Sequence, residues 1–114
     1  MPEFKLEKLS GSGAGVEILK LTGPFTLTGV FQFQDLIRAG LAAGTIVDLT
    51  GVPYMDSAAL GSIIALHVSC LHHNCKYALV TVSERLKTLF RVAGVEGLLT
   101  ICGSLAEAEG KVSS

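Results

Sequence analysis

Between Thr45 and Leu66 the chain reads TIVDLTGVPYMDSAALGSIIAL, and this stretch restricts the fold more than any other. Ile46-Val47-Asp48-Leu49 is short and β-rich, Gly51 and Pro53 interrupt it, and Leu60, Ile63, Ile64, His67, Val68 and Leu71 then recur at helical spacing. A strand hands over to a helix within a few residues, with Asp56 and Ser57 at the junction. The first turn of a helix has unpaired N–H groups and the positive end of the macrodipole, so a hydroxyl or an anion placed there finds ready partners. Spacing alone reads one of the two as an N-cap, since both types are favoured there and such a cap contributes about 1 kcal/mol.

Upstream, Phe4 to Leu9 alternates apolar and polar residues, and SGSGAG turns the chain into a second strand, Val16 to Thr22, so a hairpin is expected. Gly23-Pro24 ends it. Thr28 is placed to cap a helix in which Val30, Phe33, Leu36, Ile37, Gly40 and Leu41 share a face, while Phe31 lies with Asp35 and Arg38 on another and offers a partner or dimer contact. Downstream, the helix from Ser57 is predicted to end near His73. KYALVTV, Lys76 to Val82, reads as a strand, Ser83 as the cap of a third helix with Leu86, Leu89, Phe90 and Ala93 inward, and Leu98 to Cys102 as the last strand. Leu105 to Val112 reads as a helical tail, with Ser113-Ser114 frayed. Strands alternating with helices after a hairpin imply parallel pairs in an α/β sheet.

A length of 114 residues suits one domain over 1–114, large enough for one core and too small for two. The charged fraction, 17% against about a quarter in ordinary globular domains, leaves apolar surface that suits partners and permits a dimer. Net charge is −1 and no Lys/Arg block provides the footprint of a nucleic-acid binder. No apolar run approaches a membrane span of about 20 residues, and MPEFKLEKLS lacks the apolar stretch of a signal peptide, so a cytoplasmic protein without membrane insertion is expected. Cys70, Cys75 and Cys102 are an odd number without framework spacing and read as ordinary thiols of a reducing compartment.

His67, Cys70 and His73 stand at steps of three, from which metal ligands could converge, but Cys-x-x-Cys and His-Glu-x-x-His patterns are absent and the sequence assigns no metal and no cofactor. A Gly-x-Ser-x-Gly elbow is also lacking, and Cys70, Cys75 and the three histidines sit at helix-like or helix-end positions, so catalysis is not expected and no catalytic residue is assigned.

The run Asp48-Leu49-Thr50-Gly51-Val52-Pro53-Tyr54-Met55-Asp56-Ser57-Ala58-Ala59-Leu60-Gly61 resembles the signature of STAS domains, the anti-sigma factor antagonists of bacteria, roughly D-L-S-x-V-x-F-M-D-S-S/T-G-L-G. Ser83 to Ile101 is similar to that family's third helix and closing strand. The pattern departs at Ala58 and Ala59, where the family usually has Ser or Thr and then Gly. It departs again at Gly23-Pro24-Phe25-Thr26, where the early turn commonly carries Gly-Glu-x-Asp with its acid facing the kinase nucleotide region. The resemblance implies a mixed sheet of four or five strands with about four helices packed mainly on one face. It also implies a regulator of transcription that binds an anti-sigma factor acting as a serine kinase, with ATP supplied in trans. Phosphorylation of Ser57 would switch the chain off and a phosphatase would restore it. The surface for that partner is expected at Asp56, Ser57, Ala58, Tyr54 and Leu60, with Phe25 and Thr26 across the early turn, Met55 buried, and the side chains of Asp56 and Ser57 reaching solvent. STAS domains also resemble small subunits that dock on transporter ATPases without a phosphorylation cycle, and Ala58, Ala59 and Thr26 favour that alternative.

Overall fold

The computed structural model describes residues 3–81 and 83–113. The hairpin forms as its alternation dictates: β1 (Lys5–Ser10) pairs antiparallel with β2 (Val16–Thr22). From there the chain alternates α1 (Leu27–Arg38), β3 (Gly44–Gly51), α2 (Ser57–His73), β4 (Lys76–Val80), α3 (Glu84–Val92), β5 (Ile101–Cys102) and α4 (Leu105–Val112). Strand order in the sheet is β1-β2-β3-β4-β5, with every pair after the hairpin parallel.

The pleat of β2, β3 and β4 divides their apolar residues between two cores. Leu19, Val47 and Leu79 lie in one register row, and with Leu21, Leu49 and Tyr77 they face α1, α2 and α3, meeting Phe33, Ile63, Leu66, Leu86 and Phe90. Ile18, Ile46 and Ala78 occupy the next row and face the other way, onto Ala108 and Val112 of α4. Three helices therefore share one face, as the resemblance implies, and the short α4 covers the other. The centre of β3, buried on both sides, is apolar at Ile46-Val47.

Several boundaries move. α1 ends at Arg38, before Gly40 and Leu41, because Gly40 takes φ +126, outside the helical region. Its start also shifts, with Thr26 rather than Thr28 at the N-cap. On α2 the buried face is Ala59, Leu60, Ser62, Ile63, Leu66 and Cys70, while Val68 and Leu71, expected in the stripe, are exposed. The strand expected over 98–102 is confined to Ile101–Cys102, since the Leu98 and Leu99 amides bond back to the Val95 carbonyl in a turn. The expected end of β4 at Val82 and the last residue, Ser114, lie outside the described residues.

Phe33 is fully buried against Phe25 at 5.4 Å between ring centroids, whereas Phe31, two positions away, is 62% exposed. Phe33→Ala should lower the unfolding free energy by about 3–5 kcal/mol, read as a lower urea midpoint. Phe31→Ala should change it by less than about 0.5 kcal/mol.

Candidate functional site

The site is built where two loops leave the same end of the sheet. At the end of β3, Asp48 Oδ1 accepts from the Thr50 amide at 3.0 Å and from its hydroxyl at 2.7 Å, and the Val52 amide bonds to the Leu49 carbonyl, so the strand stops in a defined turn. The following segment runs alongside the loop after β2. Phe25 N–H donates to the Tyr54 carbonyl at 3.0 Å, Asp56 N–H donates to the Phe25 carbonyl at 3.2 Å, and Phe25 and Met55 form a parallel bridge. Beneath it, Phe25 stacks on Phe4 at 5.1 Å and Met55 is buried.

Asp56 joins the two helices that begin here. Its Oδ1 accepts from the Ala59 amide of α2 at 2.9 Å, and its Oδ2 accepts from the Leu27 amide of α1 at 3.0 Å. The N-cap of α1, Thr26, makes no side-chain capping bond; its hydroxyl lies 3.1 Å from that of Thr28. One carboxylate thus satisfies amides in the first turns of two helices and sits where the positive ends of both dipoles meet. The acid that the STAS pattern carries in the early turn is replaced here by Thr26, and α1 takes its cap from across the gap.

Ser57 is the first residue of α2 and is exposed, with Ala58 beside it partly exposed. The amides of these first two helical positions have no partner within the helix. Tyr54 and Thr26 are partly buried. Asp56 is partly exposed, and both of its carboxylate oxygens are held by backbone amides. Two expectations need correction. Phe25 is 0% exposed and contributes its backbone and core packing instead of a partner-facing ring. Leu60, at 9% exposure, faces the core, since position 60 falls on the buried side of α2.

Exposed apolar surface on α1 comes from Phe31, which the sequence offers as a partner contact, and from Leu27, which it does not single out. Leu27 is 55% exposed and, one turn on, Phe31 continues the same face of α1. On the other flank, Arg85 of α3 stands over the Tyr54 ring at 5.4 Å, and a cleft of about 330 Å³ opens between Tyr54, Leu89 and the exposed Val92. The correct start of α1 would have placed Leu27 in its first turn; the Arg85 contact is tertiary and has no local signal.

The remaining candidates are occupied structurally. Tyr77 Oη accepts from the Thr100 amide at 3.3 Å and lies 2.7 Å from His67 Nδ1, tying α2 to β4 and to the segment entering β5; burial pushes the Tyr77 hydroxyl pKa up. His73 Nδ1 lies 2.8 Å from the Ser69 carbonyl and donates to it. Among the described residues, no group of three or more His, Cys, Asp or Glu is arranged to hold a metal ion, and no helix is long and apolar enough to cross a membrane.

Residues 13–108 match the family model of the STAS domain. The chain belongs to the STAS domain family. An anti-sigma-B factor antagonist of Listeria monocytogenes is 33% identical to this STAS chain over 64 residues, which is 56% of the chain and 56% of the relative's length. An anti-sigma factor antagonist from Mycobacterium paratuberculosis shares the fold at TM-score 0.78 and 16% identity, over 95% of this chain and 94% of that one. The phosphorylated form of the Bacillus cell fate determinant SpoIIAA does so at TM-score 0.72 and 19% identity, over 97% of this chain and all (100%) of the other. The five-stranded mixed sheet with four helices is the architecture these STAS structures share.

Removing the shared cap should be felt at both helices. Asp56→Ala should cost about 2 kcal/mol, two caps at about 1 kcal/mol each, and should speed hydrogen exchange at the Leu27 and Ala59 amides together. Asp56→Asn, which keeps one acceptor oxygen, should fall between. Unchanged urea stability in Asp56→Ala would refute the bridging role.

Proposed function

We propose that this STAS protein is an anti-sigma factor antagonist: in its unmodified form it binds an anti-sigma factor that is also a serine kinase, and phosphorylation of Ser57 releases it. The observation that carries this reading is an exposed serine at the first position of α2, anchored by Asp56 and flanked by solvent-facing Leu27 and Phe31. The names of the relatives point the same way. The partner surface is Ser57 with Ala58, Tyr54 and Thr26, extended along α1 by Leu27 and Phe31. The backbones of Phe25 and Asp56 hold it in shape, with Leu60 beneath.

In this mechanism the chain is a substrate, not an enzyme. The kinase brings ATP; the Ser57 hydroxyl attacks the γ-phosphorus and loses its proton, and ADP leaves. The product carries about −1.5 to −2 additional charge. Two helix N-termini favour that charge locally, and Asp56, the nearest like charge, already shares its density with two amides. The fold therefore tolerates the phosphate. The partner does not, because closing an apolar surface over it would strip a dianion of water. A phosphatase resets the switch by hydrolysis.

The reading is tested on protein recovered from its native cells in growth and under stress. Intact mass should show one added phosphate whose occupancy changes with condition, mapped to Ser57 and absent from Ser57→Ala. An unmodified mass in every condition, with a transporter ATPase co-purifying, would instead establish a constitutive docking subunit with Ser57 as a helix residue only.

A further inference from the structure

α2 ends by a left-handed residue. Asn74 takes φ 54 and ψ 40, and the Cys75 amide reaches back to the Cys70 carbonyl at 3.1 Å, the closing bond of a Schellman turn. Such a turn brings the side chains of its first and last residues together, commonly as an apolar contact. Here both are thiols, with Cys75 Sγ 2.8 Å from Cys70 Sγ.

We propose that Cys70 and Cys75 are a redox modification site, closing to a reversible disulfide when the chain meets a peroxide. The pair is already close: a disulfide needs about 2.05 Å between sulfurs, and the backbone hydrogen bond fixes the separation of the two residues. Access is asymmetric. Cys75 is partly exposed and lines a cleft of about 650 Å³ between the C-terminal ends of α1 and α2, with Arg38, Ser69 and His73 also on its wall. Cys70 is 3% exposed, and burial, with the neighbouring Cys75 adding to it, pushes its thiol up to about 12. Cys75 is thus the sulfur that meets the oxidant, and Cys70 resolves it. Cys102 is buried on the opposite face of the sheet and takes no part.

The chemistry balances. The Cys75 thiolate attacks one oxygen of hydrogen peroxide, the O–O bond breaks, and a sulfenic acid forms as hydroxide leaves and takes up the thiol proton as water. Cys70 sulfur then attacks the Cys75 sulfur, losing its own proton as the sulfenic hydroxyl departs as a second water. Two thiols and one peroxide become one disulfide and two waters, and an added dithiol reverses the bond. The cross-link fastens the end of α2 opposite Ser57 to the start of β4, and the inference is independent of whether Ser57 is phosphorylated.

The full chain is treated with hydrogen peroxide, alkylated with iodoacetamide and weighed intact. Wild type and Cys102→Ala should each lose two hydrogen atoms, the latter taking up no alkyl group, and dithiothreitol should restore both thiols. Cys75→Ser, with its fold checked by circular dichroism, should lose no hydrogens to an internal bond. Two alkylated cysteines in oxidised Cys102→Ala, a sulfinic acid at Cys75, or only disulfide-linked dimers would overturn the proposal.

Discussion

A single carboxylate holds together the end of the molecule at which Ser57 is displayed. α1 and α2 leave different strands, and their first-turn amides would otherwise face water or each other. Asp56 satisfies one from each, at 3.0 Å and 2.9 Å, and the Phe25–Met55 bridge below it keeps the two loops in register. The carboxylate is held by backbone groups rather than by mobile side chains, so its position is fixed by the first turns of the two helices. Ser57 is consequently presented on a rigid first turn, and the apolar Leu27–Phe31 face of α1 stands in a constant relation to it.

The sheet makes that geometry possible. β2 and β3 run parallel, so the loops that follow them emerge on one side, where the 23–26 turn and the 52–56 segment can pair. The two-sided burial of β3 and β4 makes their register costly to change, since a slip of one residue would carry Val47 and Leu79 onto the α4 side. Tyr77 adds a polar tie at the far end of α2, through His67 and the Thr100 amide. The helix bearing Ser57 is thereby anchored at its first turn by Asp56 and along its length by packing and this hydrogen-bonded pair.

Local signals determine several elements. The hairpin, the span of α2 from Ser57 to His73, the caps at Ser83 and the α4 range follow from alternation, capping residues and glycine, all short-range signals. The errors arose where tertiary partners decide. Thr28 is a cap-type residue, but the N-cap is Thr26, which makes no side-chain capping bond; the Leu27 amide is satisfied by Asp56, 29 positions further on. Val68 and Leu71 looked internal because α2 is apolar on several sides, so periodicity could not tell the buried face from the exposed one. Phe25 looked like a rim residue by analogy with its turn, whereas the aromatic packing with Phe4 and Phe33 draws it inside. The thiol contact of Cys70 and Cys75 depends on the left-handed turn at Asn74.

A serine on a rigid helix start, in a site that tolerates a phosphate while a partner's desolvated face does not, is the core of the proposed switch. The most direct measurement is the affinity of the purified chain for the anti-sigma kinase of the same cell, by calorimetry, before and after phosphorylation at Ser57, with circular dichroism on both forms. The phosphorylated chain should keep its fold and bind at least about tenfold more weakly, a loss of roughly 1.4 kcal/mol or more. Equal affinity of the two forms, or a phosphorylated chain that has lost its fold, would contradict it.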